Sequence, residues 1–494
     1  MKNGHILVKV DIPLYMVKVI NDRHILVAGG GGSANTGVRN AVEVYELLPC
    51  FNYRGAMRVT GGGGGGGGSS KSSPCTVKVL QRYYTDNRAI MSGVVFRDGR
   101  QLILVGGGIN GECIFYHVKP TIQEIHRSNG YMSNDAHRDS FSALNKVRRR
   151  RTSSSGSTDS IRDSHFINNL KTTQEEETEE PFVDGPSDIK SSHVNHIVES
   201  RLNGTEIAFS YELEKLTSFV ADFQSDSRTD EPFVKVIRYN PVSGVLVTGG
   251  ADGHIRVWRY PEATKLIDIF AHADEIDDLD INEAGTLIVS VSRDGHAYVW
   301  NATDGSKSLE LECQLPVIKN STKLLKYLIR ACRFGHSSGS SYKLYTIHNP
   351  AVREKPPHHA FICKWNTNFT IDSIASLGPI VASSMTISED GNYIGIGTQD
   401  GVVDIYEASV LQRIYTAPRA HNIFVTGLEF LPVCSESKRL TGDSDCSLIS
   451  ISVDRRIVLH NINRRKSIGF FTFIFTYLLS LFCIYVIFIG LIDL

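Results

Sequence analysis

GGADGHIRVW, residues 249–258, and VSRDGHAYVW, residues 291–300, are two copies of one pattern. Each holds a strand-like run, an Asp-Gly pair and a second strand-like run that ends on tryptophan. Asp-Gly adopts positive φ at low cost, which suits a two-residue turn between antiparallel strands. Trp258 and Trp300 are 42 residues apart; GTQDGVVDIY ends at Tyr406, 41 residues after the Trp365 of AFICKWN, and ISVDRRIVLH ends at His460. A period of about 40–45 residues with such endings is the signature of a four-stranded propeller blade. His272 in AHADEIDDLDIN and His421 in RAHNIFVTGLEF stand where such units begin. Their common place in the repeat points to a structural bond within the blade rather than to a metal.

The N-terminal half is less regular. QLILVGGGINGECIFYH (101–117) reads as another hairpin, with Asn110-Gly111 at its turn. HILVAGGGG…AVEVYEL reads as a blade whose tight turn is replaced by a long glycine loop. Counting the endings Tyr45, Tyr116, Trp258, Trp300, Trp365, Tyr406 and His460 gives seven blades. Seven blades close a ring and leave only short protected edges. The fold class is therefore all-β, a seven-bladed WD-type propeller over 1–463, with the opening HILVKVDI as the outer strand that completes the last blade. Two segments stand outside the ring. Residues 61–74, GGGGGGGGSSKSSP, have the composition of a flexible linker. Residues 121–195, rich in Ser, Arg, Glu, Asn and Asp, are too polar to bury a core and read as a disordered insertion.

From Ser467 to Ile492 there is no charged residue. As a helix this run is about 39 Å long, more than the roughly 30 Å of bilayer hydrocarbon. Residues 464–494 thus read as a basic flank and a single C-terminal transmembrane helix. Arg455, Arg456, Arg464, Arg465 and Lys466 precede the span and only Asp493 follows it, which places the propeller in the cytosol and a short C-terminus in the lumen. The sequons at Asn203, Asn301, Asn320 and Asn368 then never meet the glycosylation machinery. The opening MKNGHILVKVDIPLYMV alternates, carries charges and is interrupted by Pro13, unlike a secretory leader. A net charge of −1 does not point to nucleic acid as the main partner, and RRRRTSSSG (148–156) lacks the aromatic interleaving such binding uses. The nine cysteines form no Cys-x-x-Cys pair, which argues against a zinc site and a disulfide framework.

The glycine loop, AGGGGSANTGVRN (28–40), carries the functional question. Gly29, Gly31 and Ala34 match G-x-G-x-x-A, but a strand follows where a dinucleotide site needs a helix. Gly32 and Gly37 have P-loop spacing, but Val38-Arg39 stands where Lys-Ser/Thr is required. A rim loop that exposes backbone and small polar groups is left, and converging glycine carbonyls can cage a hard cation.

PLYMVKVINDRHILVAGGGGSANTGVRNAVEVYEL (13–47), GGADGHIRVWRYPEATKLIDIFAHADEIDDLDI, IRACRFG, SMTISEDGNYIGIGTQDGVVDIY and HNIFVTGLEFLP together resemble the prolactin regulatory element-binding protein family. These are exchange factors of the endoplasmic reticulum for the Sar-type GTPase of the COPII coat. The likeness covers most of the chain outside 50–80 and 121–195. It implies a potassium ion held by Gly29, Gly30, Gly31, Gly32 and Asn35. It also implies that Val38, Arg39 and Asn40 reach the nucleotide site of the GTPase, making this a guanine-nucleotide exchange factor that makes and breaks no covalent bond. Asn40 has two readings: a turn residue bonding its own backbone, or an amide projecting toward the GTPase. The rival functions are a membrane-tethered scaffold without exchange activity and a DNA-binding transcriptional regulator, the latter opposed by the anchor and the neutral charge. No G-x-S-x-G or H-E-x-x-H supports a hydrolase.

Overall fold

A computed structural model describes residues 4–32, 37–49, 75–86, 88–126, 205–223, 231–315, 325–335, 342–352, 355, 357–442 and 444–463, with Ile474, 477–481 and Ile484. The chain forms two compact units, Met1–Thr121 with Ser210–Leu494, and Ile122–Phe209. Of the second unit only the ends of two strands are described.

Among the described residues twenty-eight strands, β1 to β28 in chain order, make seven four-stranded antiparallel sheets. Blade 1 is β2 (Leu14–Val19), β3 (His24–Gly29), β4 (Ala41–Pro49) and β5 (Cys75–Tyr84). Blade 2 is β6 (Ile90–Asp98), β7 (Gln101–Gly108), β8 (Glu112–His126) and β9 (Thr205–Val220). Blades 3 to 6 are β10–β13 (from Val234 to Phe270), β14–β17 (Ile276 to Glu310), β18–β21 (Tyr327 to Gly378) and β22–β25 (Ala382 to Ala417). Blade 7 takes β26 (Val425–Phe430), β27 (Ser444–Ser452) and β28 (Arg456–Asn463), and its outer strand is β1 (His5–Lys9). The first strand thus closes the last sheet, as the opening sequence suggests: His5 pairs with Leu459 and Lys9 with Arg456. One short helix, α1 (Ser435–Thr441), links β26 to β27 between an N-cap at Cys434 and a left-handed Gly442.

Neighbouring inner strands touch in turn around the ring, and β26 meets β2 to complete it. The core lies between blades. One cluster joins Leu14, Ile25 and Tyr45 of blade 1 to Ile449, Ile451 and Leu459 of blade 7. Every inner strand carries a register shift near its start, beside the first residue in six blades, from Leu14/Met16 in β2 to Val425/Gly427 in β26, and between Ile329 and Ala331 in β18. Bulges bend a strand and raise its twist, which a tapered sheet at a ring axis requires.

The two blade histidines do bond within their blades. His272 bridges Asp294 at 3.0 Å and Ser290 at 2.8 Å, and Trp300 donates its indole N–H to the same serine. His421 bridges Asp454 at 3.1 Å and Ser450 at 2.7 Å, with His460 in the place of the tryptophan.

Two expectations change. β8 continues to His126, so residues 121–126, read as the start of the insertion, are strand; 127–204 lies outside the described residues. The linker 61–74 lies outside them too. No helix among the described residues is long and apolar enough to cross a membrane, and most of the expected span 467–492 lies outside them.

Candidate functional site

An antiparallel sheet alternates the ends at which its strands turn. Turns between second and third strands therefore share one end of the ring with the links between blades. At that end blades 2, 3, 4 and 6 use tight turns with Gly111, Gly253, Gly295 and Gly401 at positive φ. Blade 1 instead inserts residues 30–40 between β3 and β4.

The base of this loop is fixed by its glycines and by Asn40. A Cβ on Gly29 would lie 1.9 Å from the Pro13 carbonyl oxygen, and the Gly30 N–H donates to that same oxygen at 3.0 Å. Gly30 has φ of 143°, and a Cβ there would lie 2.2 Å from Asn40 Oδ1. No L side chain fits either position without moving backbone or the Asn40 amide. Gly32 is left-handed and faces Ile109 of the next blade.

Asn40 is 3% exposed. Its Oδ1 accepts from the Gly32 N–H at 3.0 Å. Its Nδ2 donates to the Gly32 carbonyl at 3.0 Å and to the Asp86 carbonyl at 2.9 Å. Its own carbonyl accepts from Thr85 N–H at 3.0 Å. The expectation of an amide projecting toward a partner is corrected: the side chain points inward and its three bonds hold the two ends of the loop together over the 85–89 link. Asp86 sits at positive φ to offer its carbonyl. No sequence signal marks Thr85 or Asp86 as part of this site, because their role is main-chain.

The other named residues divide. Arg39 is exposed, with its guanidinium carbon 5.0 Å from the Tyr84 ring centroid. Val38 is half-buried against the cluster shared by blades 1 and 7. Gly37 is exposed and left-handed. Asn35 lies outside the described residues, with Ser33, Ala34 and Thr36. Gly29 belongs to the sheet, paired with Leu14 on one side and Ala41 on the other. The main-chain oxygens of Gly30, Gly31 and Gly32 are the donor type that a hard cation takes. Residues 29–40 contain no acidic side chain, so any donor oxygens there are neutral.

Beneath the loop, buried Glu43 pairs with Arg82 at 2.5 Å and accepts from the Tyr45 hydroxyl. Burial, and then that bond to Glu43, push the Tyr45 phenol well above its ordinary pKa. The network is structural: it fixes β4 against β5 at the root of the loop. Around the same end stand Tyr84, Phe223, Phe270 and Phe424, the exposed phenylalanines and tyrosine of the ring among the described residues. Each lies at or beside a link between blades. Exposed aromatic rings gathered on one face, with an arginine among them, have the composition of a protein-binding surface.

The WD domain, G-beta repeat family matches residues 224–259 and 264–301. The guanine nucleotide-exchange factor SEC12 of Rattus norvegicus is 27% identical over 471 residues, covering 94% of this chain and 93% of the rat protein. The guanine nucleotide-exchange factor SEC12 of Mus musculus is 33% identical over 243 residues, 49% of this chain and 57% of its own length. SEC12-like protein 2 of Arabidopsis thaliana is 25% identical over 236 residues, 46% and 51% of the two chains.

Proposed function

The chain belongs to the SEC12 family of guanine nucleotide-exchange factors, and from this premise we propose that it releases GDP from a Sar-type small GTPase at the endoplasmic reticulum. The observation that carries the reading is the 30–40 loop, an insertion with a stapled base on the end of the ring that also carries the exposed aromatics. Exchange requires the propeller to bind the nucleotide-free GTPase more tightly than the GDP-bound form, because only differential affinity shifts an equilibrium. A rigid base lets a loop spend binding energy on moving a switch segment rather than on ordering itself. Arg39 is the exposed charge next to that base, and it competes for the phosphates or switch carboxylates of the GTPase. Val38 and Asn40 position it. Cellular GTP then refills the site, and the loaded GTPase starts COPII coat assembly and transport to the Golgi. No covalent bond is made or broken.

A potassium ion on the carbonyls of Gly30, Gly31 and Gly32 would shape the loop in this reading. The apolar 467–492 run anchors the protein with the propeller in the cytosol; in its described part, Tyr477, Leu478, Leu479 and Leu481 are helical and exposed, as a lipid-facing surface would be.

Release of fluorescent GDP from a Sar-type GTPase, with and without the full chain in detergent, tests the proposal. An exchange factor accelerates release at catalytic concentrations. A scaffold leaves the spontaneous rate unchanged.

A further inference from the structure

Blade 5 closes differently from blades 4 and 7. It lacks the Asp-His pair of those blades, and residues 351–359 replace the tight Asp turn. Thr346 stands where blade 4 has Ser290: Leu344 pairs with Trp365 as Ile288 pairs with Trp300, and Trp365 donates to Thr346 Oγ1 at 2.8 Å. His348 Nε2 bonds the same hydroxyl at 2.8 Å. Cys363 is the cross-strand partner of Thr346, on the same sheet face. Cys313 comes from the link after blade 4, and its Sγ lies 3.4 Å from Cys363 Sγ. A ligand atom from each of Cys313, His348 and Cys363 falls within 4.8 Å of the others, the one such group among the described residues.

We propose that Cys313, Cys363 and His348 form a zinc site that ties the blade 4 link to the sheet of blade 5. Two thiolates and an imidazole are a zinc donor set, with water as the fourth ligand on the partly exposed Cys313 side. The sulfur spacing chooses the ion. Zn–S bonds of about 2.3 Å at a tetrahedral angle place two sulfurs about 3.8 Å apart, a small opening from the present contact. Linear copper(I) would require a much wider separation. The bond to Thr346 fixes the orientation of the His348 ring, as the outer partners of metal-bound histidines do. Binding releases the two thiol protons to water.

The full chain, purified in detergent under reducing conditions, is stripped with a chelator, reloaded with zinc or cobalt(II), and desalted. The expected result is about one zinc ion per chain and a thiolate-to-cobalt charge-transfer band. Both are lost in Cys313→Ser and kept in Cys434→Ser, whose thiol only caps α1. Zinc should also slow alkylation of Cys313 and Cys363 in the wild-type chain, a readout that holds even where a variant fails to fold. Wild-type protein that retains no zinc, equal zinc in Cys313→Ser, or a Cys313–Cys363 disulfide formed in place of metal binding would each overturn the site.

Discussion

The amide of Asn40 grips the backbone of Gly32 at both ends, accepting from its N–H and donating to its carbonyl, each at 3.0 Å. The nine residues from Gly32 to Asn40 are thereby closed into a cycle whose second anchor is the Asp86 carbonyl. The residue sets the shape of the loop and takes no part in its exposed surface.

Asn40→Ala removes the three hydrogen bonds that a buried amide makes to the half-buried Gly32 main chain and the exposed Asp86 carbonyl. Stability should fall by about 1–3 kcal/mol, at roughly 0.5–1.5 kcal/mol net for each bond that water does not replace. Exchange should fall with it, and Asn40→Asp, which keeps the acceptor, should retain more of both. Chemical denaturation and GDP release on the same preparations measure this. A stable, inactive Asn40→Ala would show that the amide meets the GTPase after all.

Gly30 and Gly37 separate crowding from backbone strain. Both have positive φ, but only at Gly30 would a Cβ collide with Asn40. Gly37→Ala should cost about 1–2 kcal/mol through the left-handed backbone alone. Gly30→Ala adds an overpacking cost of about 1–3 kcal/mol and should abolish the Asn40 bonds. Equal denaturation midpoints for the two variants would contradict the geometry.

Buried histidines make the ring acid-sensitive. Burial lowers the pKa of His24 to about 4 and of His460 to about 3, with neighbouring Arg23 and His421 adding to the effect. The unfolded chain takes up these protons below about pH 6.5 and the folded chain does not, so stability is full above that pH and declines as pH falls toward 4. Melting temperature should drop between pH 7 and pH 5, and the drop should shrink in His460→Gln. An unchanged drop would place the sensitivity elsewhere.

Asp222 carries the opposite sign. Burial, and then the neighbouring Asp252, raise its pKa to about 7. Its stabilising protonated form is present at acid pH and is lost as pH rises through about 7. Asn imitates that form: its oxygen can accept from Phe233 and Ala251 N–H as Asp222 Oδ2 does, and its N–H can face Asp252. Asp222→Asn should raise the melting temperature at pH 8, and that advantage should shrink as pH falls from about 7 and vanish only near pH 4, where the unfolded carboxylate is protonated too. Asp252→Asn should destabilise throughout, because Asp252 pairs with Arg256 at 2.6 Å.

Much of this was legible because it is local and periodic. Asp-Gly turns, aromatic strand ends and the recurring His272 and His421 identify the blades, and alternating HILVKVDI identifies the closing strand. The inward turn of Asn40 was not, since its partner Asp86 lies 46 residues on and contributes only a carbonyl. Cys313 and Cys363 are 50 residues apart and match no pair motif; only the propeller brings their sulfurs together. The polar composition places the start of the insertion at residue 121, yet β8 runs on to His126.

The central claim is that the 30–40 loop of this propeller releases GDP from a Sar-type GTPase. Its most direct test is fluorescent-GDP release by wild-type chain and by Arg39→Ala, with melting temperature measured on both. Arg39 is exposed, so the variant should melt within about 0.5 kcal/mol of wild type. Wild type should accelerate release, and Arg39→Ala should lose at least about tenfold, or roughly 1.4 kcal/mol of transition-state stabilisation. Release at the spontaneous rate with wild-type chain, or equal rates for a folded Arg39→Ala, would contradict it.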